Sequence, residues 1–383
     1  MNLALILTGG GARAAYQVGA IQAIAKISTF TKIPFNILTG SSAGALNVAY
    51  LASRADDFTK ASQGLWDLWD NLSPEKVYKT DSFSMTALGV KWIRTLGGGG
   101  LYGVSTGINY LLDTSPLREL LIKELYLERL PQFFFDSVLR GVSVSATNYL
   151  SGTAISFYDG QRDIIPWVRS TRLSQHTQLN TDHIFASCAI PIFFTPVLMN
   201  GIYYGDGCIR LTSPLSPAVH MGADKILAIG IRHPKSHQET IELNQVQAKS
   251  NLSVAEIGGT LMNSVFLDSL ETDIERMERI NSTISVMSIE HRSLIPSKLR
   301  HIPVLALQPS RDLGELAIGT LHQFPRIIRH LLRGLGAKDN KGWDMISYLA
   351  FEKTYTRQLM DLGYLDTMKK NDLVLDFIEQ GSR

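Results

Sequence analysis

Ser42 is the centre of Gly40-Ser41-Ser42-Ala43-Gly44, a Gly-x-Ser-x-Gly pentapeptide. The apolar run Phe35-Asn36-Ile37-Leu38-Thr39 precedes it and the small-residue stretch Ala45-Leu46-Asn47-Val48-Ala49-Tyr50 follows. Strand, sharp turn and helix form the setting in which a serine hydroxyl is thrust out of the top of a sheet as a nucleophile. A turn that tight has no room for side chains two positions either side, and Gly40 and Gly44 meet that demand. Glycine and serine also build ordinary loops, so the pentapeptide needs partners. A serine that attacks a carbonyl requires donors for the oxyanion that forms and a base for the hydroxyl proton.

A candidate donor loop lies at the amino terminus, where Leu3-Ala4-Leu5-Ile6-Leu7-Thr8 reads as a buried strand entering Gly9-Gly10-Gly11-Ala12-Arg13. Apolar residues at Ala14, Ala15, Val18, Ile21 and Ala25 then recur with helical spacing. A glycine-rich turn between strand and helix aims free N–H groups from the positive end of the helix dipole, which suits an anion. Gly9-x-Gly11-x-x-Ala14 matches a loose dinucleotide fingerprint, but that reading wants an acid about 20 residues on, and the first is Asp56. No Gly-Lys-Ser/Thr follows the glycines, as a phosphate-binding P-loop needs. A reaction oxyanion remains as the anion. Arg13 is the lone charge in the first 25 residues; it orients this loop, meets an anionic head group or packs on the surface.

Candidate bases are carboxylates and histidines. Ile202-Tyr203-Tyr204-Gly205 is a short aromatic β run, and Asp206-Gly207 places a carboxylate at its end. Taken alone, that is a common turn pair. His183 lies in the predicted helix Asp182-His183-Ile184-Phe185-Ala186 and reads as a packed or capping residue, while His176, His220 and His233 have no motif around them.

With these segments in view, the chain resembles the patatin-like phospholipase family, in particular its intracellular bacterial-type members. Four segments carry the resemblance: Gly9-Gly10-Gly11-Ala12-Arg13, Gly40-x-Ser42-x-Gly44, Ala186-Ser187-Cys188-Ala189-Ile190-Pro191 and Asp206-Gly207-Cys208. It implies a three-layer α/β/α fold with a mostly parallel central sheet and a C-terminal helical appendix. It also implies a Ser42–Asp206 dyad working through an acyl-enzyme, with the loop from Gly9 to Arg13 as oxyanion hole and no metal or organic cofactor. The implied substrate is a lipid ester, a phospholipid or lysophospholipid. A carboxylate with a reference pKa near 3.9 is a weak base, so apolar surroundings must raise it, and Phe193, Phe194, Tyr203 and Tyr204 are the aromatic candidates. The chain departs from the usual pattern at Ala14 and Cys208, both small replacements that bear on the shape of the oxyanion pocket. Two other functions fit the same fold: a catalytically silent, membrane-associated interaction protein, and an acyltransferase using the same acyl-enzyme.

The elements that must position these residues are predicted as one α/β domain over 1–310, with a helical extension over 311–383. Residues 138–146 and 153–157 read as a hairpin, and 225–231 and 302–307 as buried strands. The glycine-rich stretch 83–110 reads as a lid or insertion. Residues 255–281 suggest one packed helix with a solvated charged face, and 326–333 an amphipathic basic helix that docks on the core.

A net charge of +2 with scattered basic residues gives no support for a nucleic-acid partner. The apolar run at the amino terminus is short for a secretion signal and lacks a basic leader. Nor does any stretch approach the ~18 apolar residues of a membrane span. The expectation is a cytoplasmic protein compatible with peripheral contact at the inner face of a membrane. The two cysteines, Cys188 and Cys208, both fall in the quoted motifs and read as free thiols, with one disulfide as the alternative.

Overall fold

Leu3–Leu7 (β1) is apolar at every position because both faces of the strand are covered. Leu3, Leu5 and Leu7 point into one core, with Val18 and Ile21 of helix α1 (Ala15–Ile27). Ala4 and Ile6 point into a second core, with Ala218, Ile226 and Leu270. That alternation makes the three layers of an α/β/α fold, as expected. The computed structural model describes residues 1–81, 110–245, 251–288, 299–338 and 340–379. Apart from Tyr110, the 83–110 stretch predicted as a lid lies outside the described residues.

The remaining strands are β2 (Ile37–Ser41), β3 (Gly141–Asn148), β4 (Thr153–Gly160), β5 (Val168–Arg169), β6 (Arg172–His176), β7 (Val197–Met199), β8 (Ile202–Asp206), β9 (Lys225–Ile229) and β10 (Val304–Leu307). They order as β10-β9-β1-β2-β3-β4-β6-β5, with β8 pairing both β3 and β7. From β10 through β3 all neighbours are parallel, while β3 and β4 form the expected antiparallel hairpin.

The pairing of β3 brings two distant parts of the chain together. Along one edge β4 takes the whole strand, from Gly141 to Asn148. On the other edge β2 pairs Gly141 to Ser145, and β8 takes over at once with Asp206 opposite Ala146. Ser41 and Asp206 therefore sit across from consecutive residues of β3. The chain leaves β2 at Ser42 where the last residue of β8 arrives.

Helix α2 (Ala43–Ala52) is buried along its whole length, which its small residues permit. A buried polar chain fixes it to its neighbours. The Gln17 side-chain amide donates to the Thr8 carbonyl at 2.7 Å, Asn47 donates to Gln17 at 3.1 Å, and the Trp69 indole of helix α3 (Phe58–Asp70) donates to Asn47 at 2.8 Å.

The 255–281 segment differs from expectation. It forms two helices, Val254–Phe266 and Asp268–Ser285, which meet at Leu267. Asp273, read as part of a solvated face, is buried, because its carboxylate accepts from the Leu215 N–H at 2.9 Å and lies beside Arg276. Charged residue types alone do not reveal such a capping role. The basic helix, Arg326–Gly334, docks through Ile328 and Leu332. The longest helix of the C-terminal region, Lys353–Met368, lies along α1 so closely that a Cβ on Gly19 would come within 1.8 Å of the Met360 carbonyl oxygen.

Candidate active site

Ser42 has φ 53 and ψ −134, a backbone conformation that L-residues rarely adopt. Such strain persists only where the surroundings over-determine it. Here the Ser42 N–H donates to Ser187 Oγ at 2.9 Å, Ser187 Oγ donates to the Ser145 carbonyl at 2.5 Å, and the Ser42 carbonyl accepts from Ala45 N–H at 2.8 Å. The glycines two positions either side are needed for space. A Cβ at Gly40 would come within 2.5 Å of the Gly44 carbonyl oxygen, and one at Gly44 within 2.2 Å of the Leu7 carbonyl oxygen.

The loop after β1 presses on the serine. A Cβ at Gly9 would lie 2.4 Å from Ser42 Cβ and 2.5 Å from Cys208 Sγ. Gly10 opens the short turn Gly11–Ala14, which runs straight into α1, and Arg13 N–H donates to the Gly10 carbonyl at 3.1 Å. Among the described residues no carbonyl accepts from the backbone N–H of Gly10, Gly11 or Ala12, as expected of the first turn of a helix. Gly9 N–H is directed to Cys208 Sγ, where it favours the thiolate. Cys208 thus occupies a place beside the donor loop that sequence alone left undefined.

Asp206 is fully buried at the end of β8. Its Oδ1 accepts from Cys208 N–H at 2.9 Å, its own N–H donates to the Ala189 carbonyl at 2.9 Å, and Thr147 Oγ1 donates to its carbonyl at 2.7 Å. Oδ2 has no partner in good hydrogen-bond geometry. Burial pushes the carboxyl up to about 7, against the opposing pull of the Ser42 hydroxyl, the Cys208 N–H and the Cys208 side chain. Ser42 itself is 1% exposed, so the pair faces one another away from bulk water. Of the aromatic residues named as surroundings, Phe194 and Tyr204 are buried, Phe193 is partly buried, and Tyr203 is 49% exposed and excluded from the role.

The histidines are engaged elsewhere. His183 caps the Thr181–Ser187 helix by accepting from Asn180 N–H at 3.1 Å, and its ring packs on Phe157. His176 packs on Tyr158 and His220 stacks on Trp167; burial and then Arg169 and Arg172 push His220 down to about 4. His233 Nδ1 lies 2.9 Å from the Pro309 carbonyl.

Arg13 is 1% exposed, which removes the surface reading. Its partners come from parts of the chain that no motif marks. Nε donates to Ser347 at 2.7 Å, Nη2 to Asp344 at 2.9 Å and Nη1 to Asn263 at 3.3 Å, while the guanidinium lies 4.3 Å from the Tyr348 ring centroid. Burial works against the charge, but Tyr348, Tyr355 and Asp344 outweigh it and hold the pKa above the usual arginine value.

Both cysteines are free and buried, so the disulfide alternative is set aside. Cys188 Sγ donates to the Ser42 carbonyl at 3.1 Å and Cys208 Sγ to Ser41 Oγ at 3.3 Å. Burial, reinforced by the Asp206 charge, raises both thiols well above the ordinary range. Since the thiolate is the reactive species, a thiol reagent is expected to find no cysteine in the native protein and two in denaturant. A fast-reacting native thiol would contradict the closed packing around Ser42.

The profile of the patatin family, described as patatin-like phospholipase, matches residues 5–219. The chain belongs to the patatin-like phospholipase family. This is a family of lipid acyl hydrolases, and the matched span includes the glycine loop from Gly9, the Ser42 elbow and Asp206. The crystal structure of VipD from Legionella pneumophila is similar over 97% of this patatin-like chain and 67% of the VipD chain, at 12% identity and a TM-score of 0.38. Among the described residues no helix is long and apolar enough to cross a membrane.

Proposed function

We propose that this patatin-like protein hydrolyses fatty-acyl esters of phospholipids or lysophospholipids through a Ser42–Asp206 dyad. The observation that carries the reading is the pairing of β2 and β8 end to end along β3, which sets a strained, buried serine against a carboxyl raised to about 7. A base in that range is about half ionised at neutral pH and holds a proton well enough to take one from a hydroxyl.

Ser42 Oγ attacks the ester carbonyl carbon and its proton passes to Asp206. The tetrahedral oxyanion faces the N–H groups of the glycine loop, of which Gly10, Gly11 and Ala12 have no carbonyl acceptor among the described residues. Each donor of this kind is worth on the order of 3 kcal/mol in the transition state. Collapse expels the alcohol, which takes the proton from Asp206, and leaves the acyl chain on Ser42. Water then gives a proton to Asp206 and attacks the acyl-enzyme carbonyl; as the ester bond to Ser42 breaks, Asp206 returns that proton to Ser42 Oγ and the fatty acid leaves. Peripheral membrane contact and a cytoplasmic setting belong to this same reading, as do a catalytic span over 1–310 and a helical extension over 311–383.

The test is fluorophosphonate labelling of the purified protein, with products followed on vesicles of diacyl and lysophospholipid. Labelled Ser42 and released fatty acid support the reading. Acyl chains recovered on an added alcohol would assign a transferase. Absence of both label and turnover on vesicles would sink the dyad and leave a silent protein of this fold.

A further inference from the structure

The glycine loop is held from two sides, and the second side comes from outside the family-matched span. On the first side Gly9 bears on Ser42 and Cys208. On the second, a Cβ at Gly11, where φ is +55, would come within 2.2 Å of the Tyr348 carbonyl oxygen. Between these contacts Arg13, whose own N–H closes the Gly10 turn, sends its guanidinium into the Trp343–Leu349 helix. There Ser347 Oγ accepts from Nε at 2.7 Å and donates to the Asp344 carbonyl at 2.5 Å, and the Asp344 carboxylate accepts from Nη2 at 2.9 Å. Asn263 Oδ1 accepts from Arg13 at 3.3 Å and from the Tyr348 hydroxyl at 2.9 Å, which ties in the Val254–Phe266 helix. The packing is close enough that Gly314 has no room for a Cβ, which would lie 2.7 Å from Asp344 Oδ1 and 2.9 Å from Arg13 Nη2.

We propose that Asp344 and Ser347 are positioning residues for the oxyanion loop: through Arg13 they fix the Gly10-to-Ala12 N–H groups toward Ser42, so the 343–349 helix is part of the catalytic apparatus. The inference rests on the dyad reading above. Its physical basis is an asymmetry of burial. Arg13 has a side chain 2% exposed and cannot turn to water, whereas the Asp344 side chain is 34% exposed. When Asp344 loses its charge, the guanidinium is left deep in the protein without its counter-ion and the loop must shift to solvate it. Asp344 itself remains free to face solvent.

The experiment compares Asp344→Asn, which keeps shape and removes charge, with Ser347→Ala and wild type. It measures p-nitrophenyl ester turnover, fluorophosphonate labelling and thermal melting. At a temperature where all are folded, kcat and the labelling rate are expected to fall together by about 10- to 100-fold, as for a small misplacement of catalytic groups, with KM unchanged. Wild-type kcat and labelling in both variants, with only the melting temperature lowered, would reduce the network to a structural role and overturn the inference. Should Asp344→Asn fail to fold, Ser347→Ala decides by the same readouts. Ser42→Ala separates the two readings. If it loses the label while both clamp variants behave as wild type, the clamp alone fails; if it keeps the label, the dyad fails and the clamp with it.

Discussion

Replacing Ser42 by alanine, or Asp206 by asparagine, is expected to lower kcat by about 10⁴-fold or more, the scale on which a member of a serine–base unit matters. The two losses are not additive, because each removes the same proton-coupled attack, so the double variant is expected to resemble either single one. Ser42→Ala removes the atom that becomes acylated. Asp206→Asn keeps the oxygen that accepts from Cys208 N–H but removes the proton acceptor facing Ser42. For wild type, kcat/KM is expected to rise with pH and level off above about 7, where the buried carboxyl is ionised. Steady-state kinetics on a soluble ester between acid and mildly alkaline pH measures all three. A profile whose limb lies near the ordinary carboxylate range, or substantial turnover by Asp206→Asn, would assign the proton to another group.

The second large effect is on stability and has the opposite sign. Burial raises Asp206 from 3.8 to about 7 in the folded protein, whereas in the unfolded chain it ionises at its ordinary value. Below the unfolded pKa both states hold the proton and the carboxyl costs nothing. As pH rises past it, the unfolded chain ionises first and gains, and the penalty is complete once pH exceeds about 7. At roughly 1.4 kcal/mol per pH unit, that gap amounts to about 4 kcal/mol. Asparagine carries no such penalty. Asp206→Asn is therefore expected to melt higher than wild type at pH 8 and to lose that advantage toward pH 4, with other titrations cancelling in the comparison. A melting difference that does not change with pH would contradict the burial of an ionisable carboxyl at the end of β8.

Both effects describe one arrangement. The strained φ of Ser42 and the raised carboxyl of Asp206 each work against folding, and both are held by surroundings built for the purpose: Ser187 and Ser145 behind the serine, Ala189 and Thr147 behind the aspartate. Conformational and electrostatic strain collected at one point is what a site for chemistry requires.

Residue types and spacing by themselves carried the strand-turn-helix around Ser42, the glycine loop after β1, the hairpin of β3 and β4, and the strands β9 and β10, of which β9 is buried as expected while β10, at the sheet edge, is half-buried except at Leu307. These are local signals, since a run of apolar residues ending in glycines states its own conformation whatever packs on it. The proposed dyad partner was different in kind. Asp206-Gly207 reads as a common turn, and what sets it apart is the register by which β8 continues the edge that β2 leaves on β3. The partners of Arg13 lay further out of reach. Asp344 and Ser347 stand more than 300 residues from Arg13 in a helix with no motif, and the burial of Asp273 in a charge-rich helix was equally hidden. Pairing, burial and the resulting proton affinities are properties of which surfaces meet, and only the tertiary structure decides that.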